Sequence, residues 1–501
     1  MELYPRTYKN VNSLQSKLFG HRIKAAQTKY EYLIEFLQVA IARKEDALTG
    51  KPFSGMFPVD RRVEAYNLTF FPETRIGLKR FVFLPKSKLE GKAEVDKQAY
   101  RECISALEQN VLGANAMARR NNITIIQNLL SGFSAVNQNR SWFDQNLLPI
   151  CREAILPEGM GVKRVRQGLT FSVGDAKVDG AFDYHRYTYM CRGGEVYYLH
   201  LLNAINEFPA YQAVIEARLT QMIDSFPQFS HLCNFVQGTW DNYMMVPAEE
   251  KKETSKDLGA IPRAFSQRNR DTLSELRNFL NSKSHPFEKM EILADGILLQ
   301  MLRMMYLAAA IGRESNCWVL DINYKGMDNS EMRKTAIAAF KHNEEVISSY
   351  LYRGYAELRD QLEEQDERKA IKGAAEDSYR LFRKMGKAIG VVIPNTGAGM
   401  RFSLSEDIIK FLVLSLIPPK KMITLDEFME LLYRHFGMVI GKEQYLREAA
   451  RGSVKKPGDT SCLEENKRAL AQKLKDCGFL RDLSDATSIV ENPYESEDDL
   501  V

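Results

Sequence analysis

The sequence has seven cysteines, at 103, 151, 191, 233, 317, 462 and 477, and no two of them make a C-x-x-C pair. An odd, scattered set supports neither a disulfide framework nor a structural zinc site, so buried thiols and no bound metal are expected. The commonest readable chemistries are missing as well. There is no G-x-x-x-x-G-K-[ST] phosphate loop, no G-x-S-x-G nucleophile elbow and no H-E-x-x-H zinc helix, which removes the motif-bearing hydrolases and implies no cofactor. The start, "MELYPRTYKNVNSLQ", lacks a basic stretch followed by an apolar run, so no signal peptide is expected and the protein reads as cytoplasmic. Long uninterrupted apolar runs are absent too. The best of them, "MEILADGILLQMLRMMYLAAAIG" at 290–312, is broken by Asp295, Gln300 and Arg303, which suits the central helix of a soluble core and not a membrane span. No internal repeat of fixed period is visible.

What is present is an ordinary globular composition over 501 residues, enough for several domains. Apolar residues recur at helical spacing over 13–45, 96–112, 122–134, 194–206, 209–225, 271–282, 288–312, 329–365 and 370–389. "VEAYNLTFF" and "RFVFLP" have strand character and predict a small sheet around 63–85. The polar, charged stretch "VPAEEKKETSKDLGAIPRA" predicts a linker. The expected fold class is therefore mainly α, a multi-domain helical protein with a small β element. Residues 1–245 form a mainly helical region with a basic surface and the small sheet, 246–262 a charged linker, and 263–395 a helical domain. A winged-helix-like module at 401–490 and an acidic tail at 491–501 complete it.

The module is read from its punctuation. Ser403 with Glu406, and Thr424 with Glu427, have capping-box spacing and mark two helix starts. Pro418-Pro419 ends the first helix. Leu425, Phe428, Leu431, Leu432 and Phe436 line one face of the second. A further helix at 442–450 is followed by one at 461–477, capped by Thr460 or Ser461 and stopped by Gly478. "FLRDLSDATSIVENPY" predicts a terminal hairpin.

Charge is uneven: residues 1–170 hold about 26 Lys and Arg against about 16 Asp and Glu, and the remainder is net acidic. A basic end suits contact with a phosphate backbone. The expected nucleic-acid contacts are Arg61, Arg62, Lys79, Arg80, Lys163, Arg164 and Arg166, near the aromatic Tyr66, Phe70 and Phe71 and the further basic Arg75. Lys467 and Arg468, on the last helix of the module, are the competing set. The one cluster with catalytic potential is "GDAKVDGAFDYH", where Asp175, Lys177, Asp179, Asp183 and His185 could hold Mg²⁺ as metal-dependent nucleases require. A polar surface hairpin accounts for the same residues. In "RGGEVYYLHLL", Gly193 and Gly194 open a helix whose free amides favour an anion.

The overall layout, together with "RGGEVYYLHLL" and the 403–440 region, resembles the helix-rich accessory subunits of multi-gene prokaryotic phage-defence systems, including those of phosphorothioate-dependent restriction. The resemblance implies a cytoplasmic protein acting beside other subunits, a separate ATPase or nuclease, and carries no residue roles. The function expected is thus a non-catalytic subunit or adaptor of a multi-protein complex acting on DNA. The alternative is a metal-dependent nuclease using the Asp175/Asp179/Asp183 cluster.

Overall fold

The helical pattern of residues 13–45 divides into Leu14–Phe19 (α1), closed by Gly20 at φ 82°, and Lys29–Ile41 (α2). These belong to a computed structural model that describes residues 13–20, 27–47, 49–59, 68–73, 75, 77–78, 81, 94–130, 149–156, 172–173, 176–177, 193–243, 256–258, 261, 263–313, 316–322, 330–455, 460–484 and 487–500. Helices continue as Glu94–Asn110 (α3), Ala116–Leu130 (α4), Gly193–Glu207 (α5), Gln212–Ile223 (α6) and Pro227–Tyr243 (α7). Asn269–Asn281 (α8), Pro286–Ala309 (α9), Ser330–Leu358 (α10) and Glu367–Arg380 (α11) follow. The last four are Glu406–Leu416 (α12), Leu425–Phe436 (α13), Lys442–Ala450 (α14) and Ser461–Asp476 (α15). The protein is mainly helical, as its periodicity predicts.

Strands are short. Arg43–Asp46 (β1), Pro52–Phe53 (β2), Leu68–Phe71 (β3) and Lys256–Asp257 make one antiparallel sheet, ordered β2, β1, β3 and then Lys256–Asp257. The small sheet is therefore real, and "VEAYNLTFF" supplies Leu68–Phe71 to it, whereas of "RFVFLP" only Phe81, with helical backbone, lies within the described residues. Residues 43–46, at the end of the predicted first helix, are extended instead. The expected linker also feeds this sheet: Lys256 pairs with Phe70, and Leu258 is fully buried. One hydrophobic core runs from Leu14 to Val490 and draws on both sides of 246–262.

α2, α5 and α9 lie deep inside that core, and close packing explains their sequences. Every residue from Glu31 to Ala40 of α2 is buried, and so is nearly every residue of α9, including Asp295, Gln300 and Arg303. Among the described residues, the one helix long and apolar enough to cross a membrane, Pro286–Ala309, is thus the buried axis of the fold. Gly296 allows α12 to cross it, since a Cβ at that position would strike the Phe411 ring. A large-to-small change at such a contact leaves a cavity, and a small-to-large one forces the helices apart.

Candidate functional site

The C-terminal module is built much as its capping signals imply. Thr424 Oγ1 accepts the Glu427 amide at 3.2 Å while Glu427 accepts the Thr424 amide at 2.8 Å, so the second predicted capping box is formed and starts α13. The first is not. Ser405, not Ser403, caps α12, its hydroxyl accepting the Ile408 amide at 3.3 Å, and Ser403 is buried two residues upstream. Leu425, Phe428, Met429, Leu432 and Phe436 form the buried face of α13, with Leu431 only partly covered. Gly437 ends it at φ 63°, where a Cβ would meet the Arg303 guanidinium.

Three short strands of the module form one sheet: Met422–Thr424, Leu480–Ser484 and Thr487–Glu491. The last two are the predicted hairpin, and Met422–Thr424 pairs with its second strand, Ile423 opposite Val490. On α15, Leu463, Asn466, Leu470 and Leu474 face inward. Asn466 is a cross-link and not a surface amide: its side chain accepts from the Ile322 amide at 2.7 Å and donates to the Leu320 and Ile440 carbonyls.

The module is fastened to the body by strands and by buried charge. Trp318–Val319 runs parallel to Met438–Val439, and Trp318 stacks on Phe402 with centroids 4.6 Å apart. Beneath lies a polar network. Arg268, ahead of α8, donates to both oxygens of Glu275 at 2.8 and 2.7 Å, and also to the His435 carbonyl. The same guanidinium lies 4.9 Å over the Phe436 ring. Gln300 of α9 donates to Glu275 as well. Burial by itself would raise the Glu275 carboxyl, but the Arg268 charge and the His435 hydrogen bond outweigh it and hold the group below the usual carboxylate range. Asp321 and Arg401 add a second buried pair at 2.6 Å.

The acidic end of the chain is part of this fastening. Glu497 pairs with Lys289 at 2.8 Å, both side chains under a tenth exposed, and Asp498 pairs with Arg218 and Asn281.

On the outer face of α15, Glu464, Glu465, Arg468, Gln472, Lys475 and Asp476 meet solvent. The bases there are largely matched within the module: Lys467 with Asp426, Lys475 with Asp482 at 2.8 Å, and nearby Arg447 with Glu430 at 2.9 Å and Arg481 with Glu491 at 2.6 Å.

Of the other candidate residues, Lys177 falls in a two-stranded hairpin, Ser172–Val173 against Ala176–Lys177. Asp175, Asp179, Asp183 and His185 lie outside the described residues, as do Arg61, Arg62, Lys79, Arg80, Lys163, Arg164 and Arg166. Among the described residues no group of His, Cys, Asp or Glu is arranged to hold a metal ion. The glycine pair opening α5 does meet an anion, but an internal one: the Gly194 amide donates to the Glu35 carboxylate at 2.9 Å. Both glycines are also needed for contact, since a Cβ on either would overlap Tyr32.

A cleft of about 920 Å³ opens between α10 and the module. Val319, Met332, Tyr445 and Leu463 line it, with Arg313, Lys334, Arg451 and Lys455 also contributing. Its walls come from segments more than a hundred residues apart, so no local signal in the sequence announces it.

Residues 400–494 match a protein family described as methylation-associated defense system protein MAD7. The C-terminal module is therefore similar to a protein of a defence system, and the rest of the chain lies outside the match. No curated protein and no solved structure matches the chain.

Proposed function

We propose that this chain is a non-catalytic subunit of a multi-protein defence complex acting on DNA, and that residues 401–490 form a winged-helix-like module that docks another subunit, a separate ATPase or nuclease. The observation that carries the docking role is the charge on α15. A helix that reads duplex DNA presents unpaired basic or amide side chains to the groove. Here Lys467 and Lys475 are held by Asp426 and Asp482, while Glu464, Glu465 and Asp476 share the same face. Support for the winged-helix reading comes from the order helix, strand, helix, two further helices and hairpin, with Met422–Thr424 lying against the second hairpin strand. The attachment of the module through Arg268, Glu275 and His435 suits a fixed docking surface more than a swinging reader. DNA contact is assigned to the basic N-terminal half. The proposed mark on that DNA is methylation, after the description of the matched family, and phosphorothioate marking is the alternative.

The test is affinity purification of the full chain from its host, with and without DNA digestion, followed by binding of methylated, unmethylated and phosphorothioate duplexes by the purified chain. A set of protein subunits that survives DNA digestion is expected, and no hydrolysis of DNA by the chain alone. Magnesium-dependent cleavage abolished by Asp175→Ala or Asp179→Ala would overturn the adaptor reading in favour of the nuclease.

A further inference from the structure

Lys467, Lys475, Arg447 and Arg481 are each neutralised by a carboxylate of the C-terminal module. Three bases beside them are not. Arg313, shortly after α9, Lys334 on α10 and Lys455, shortly after α14, are exposed and make no ion pair among the described residues. All three line the cleft of about 920 Å³ between α10 and the module. A fourth lining base, Arg451, is held by Glu448 at 2.9 Å and by the Tyr433 hydroxyl at 3.0 Å. The lining carboxylates are fewer, Glu331 and Glu345, and Glu345 lies 3.6 Å from His342. The cleft therefore has a positive excess that the fold itself leaves unanswered.

Its wall is apolar and partly open. Val319, Met332, Tyr445 and Leu463 back it and are nearly covered, whereas Cys317, Ala338, Ala339, Val454 and Cys462 keep surface that an occupant can reach. Along α10 the lining positions Glu331, Thr335, Ala338, His342 and Glu345 recur at helical spacing. Alanine at the middle of that row leaves room over the helix. The wall at 451–455 is fixed before anything binds: the Tyr445 hydroxyl donates to the Lys455 carbonyl at 2.9 Å, and the Ser453 amide to the Glu448 carbonyl at 3.1 Å. A preformed wall lowers the ordering cost of association.

We infer that this cleft receives a short segment of another subunit, with apolar side chains against Ala338 and Val454 and with Asp or Glu residues toward Arg313, Lys334 and Lys455. The inference rests on the proposed docking role and adds to it the site and the chemistry of the partner. Apolar surface edged by exposed charge of one sign is the anatomy of a protein–protein contact, and opposite charge on the partner steers the encounter. A phosphate backbone would meet Glu331 and Glu345 on the same wall and gain nothing from the apolar surface.

The experiment pans a random peptide library on the full chain. Binding of the selected peptide is then measured to the wild type, to Lys334→Glu with Lys455→Glu, and to Ala338→Trp, together with the recovery of co-purifying subunits by each. The selected peptides are expected to carry Leu, Ile or Phe beside Asp or Glu. The double reversal should weaken the peptide about 10-fold or more. Ala338→Trp, which fills the cleft without changing its charge, should abolish binding, and both variants should lose the co-purifying subunits. The altered positions are exposed, so the melting temperature should stay that of the wild type. Arg468→Glu with Lys475→Glu, on the outer face of α15, should change neither readout. No selected peptide, a basic or uncharged consensus, or equal binding by all variants overturns the cleft. Subunits recovered alike by the wild type and both cleft variants keep the docking reading and overturn this site. Peptide binding as expected with no subunit surviving DNA digestion keeps the site and removes the docking reading. Displacement of the peptide by a duplex oligonucleotide overturns the protein partner in favour of nucleic acid.

Discussion

Glu275 Oε1 lies 2.7 Å from His435 Nδ1, and that contact joins α8, the helix before the core axis, to the last turn of α13 in the C-terminal module. Glu275 is 1% exposed and also receives Arg268. Its removal leaves a buried guanidinium without its counter-charge. Glu275→Gln is therefore expected to destabilise the protein by about 3–5 kcal/mol, read from urea unfolding. Arg268→Met combined with Glu275→Leu should recover much of that loss. A near-zero effect of Glu275→Gln would show that the module is not held here.

Acid should weaken the fold through His200. It is fully buried on α5, 3.0 Å from Thr272 Oγ1, and burial, aided by the Arg268 charge, lowers its pKa to about 3. Between that value and the ordinary histidine value the unfolded chain binds a proton that the folded one refuses, so stability falls as pH drops through this window. His200→Gln keeps a partner for Thr272 and removes the effect. The stability difference between the two proteins should change by about 1.4 kcal/mol per pH unit below about 6.5.

Asp295 works in the opposite direction. Burial raises its carboxyl to about 7, despite Lys29 at 3.0 Å. The folded state therefore holds a proton that the unfolded state has lost, and stability rises as pH falls from about 7 toward the ordinary carboxylate range. Asp295→Asn should abolish this slope and leave the one from His200. Thermal melts across pH 4 to 8 separate the two, on the order of one unit apart per step.

Gly194→Ala and Gly238→Ala should differ in sign. A Cβ at Gly194 would overlap the Tyr32 backbone, so α2 and α5 must separate, at a cost of about 1–3 kcal/mol or more. At Gly238, inside α7, nothing lies within 4 Å, and alanine should stabilise by about 0.5–1 kcal/mol. Calorimetric melting of both variants checks the pair.

If the chain binds duplex DNA, reversing Lys163, Arg164 and Arg166 to Glu should weaken binding and lower the slope of log affinity against log salt by roughly 0.9 per lost phosphate contact. Lys467→Glu with Arg468→Glu should have little effect on the slope, Lys467 being already paired with Asp426. The reverse result would make the terminal module the reader.

Cleavage within 246–255, the polar part of the proposed linker, should yield two fragments that still co-elute. Leu258 is buried in the same core as Leu68, and its amide bonds the Leu68 carbonyl at 3.0 Å. Fragments that separate on gel filtration would establish independent domains on either side.

Local rules in the chain determined most of the helices, the Thr424–Glu427 cap, the stop at Gly478 and the terminal hairpin, because capping, periodicity and turn chemistry act over a few residues. They also determined the buried nature of 290–310, although Asp295, Gln300 and Arg303 alone read as interruptions. Only the tertiary structure decided what those polar residues meet: Lys29, Glu275 and Asn316 respectively. The partners lie 13 to 266 residues away, and no spacing rule spans such distances. The same holds for Gly193 and Gly194, whose pattern suggests an anion site but whose anion is Glu35. It holds also for Ser403, which has the right spacing for a cap yet is buried while Ser405 caps the helix. Local sequence specifies a helix start to within a turn; the burial of one face then selects which hydroxyl does the capping. The same logic brings Phe71, Arg152 and Glu216 to one cleft, since it exists only because the sheet and α6 close over the end of α2.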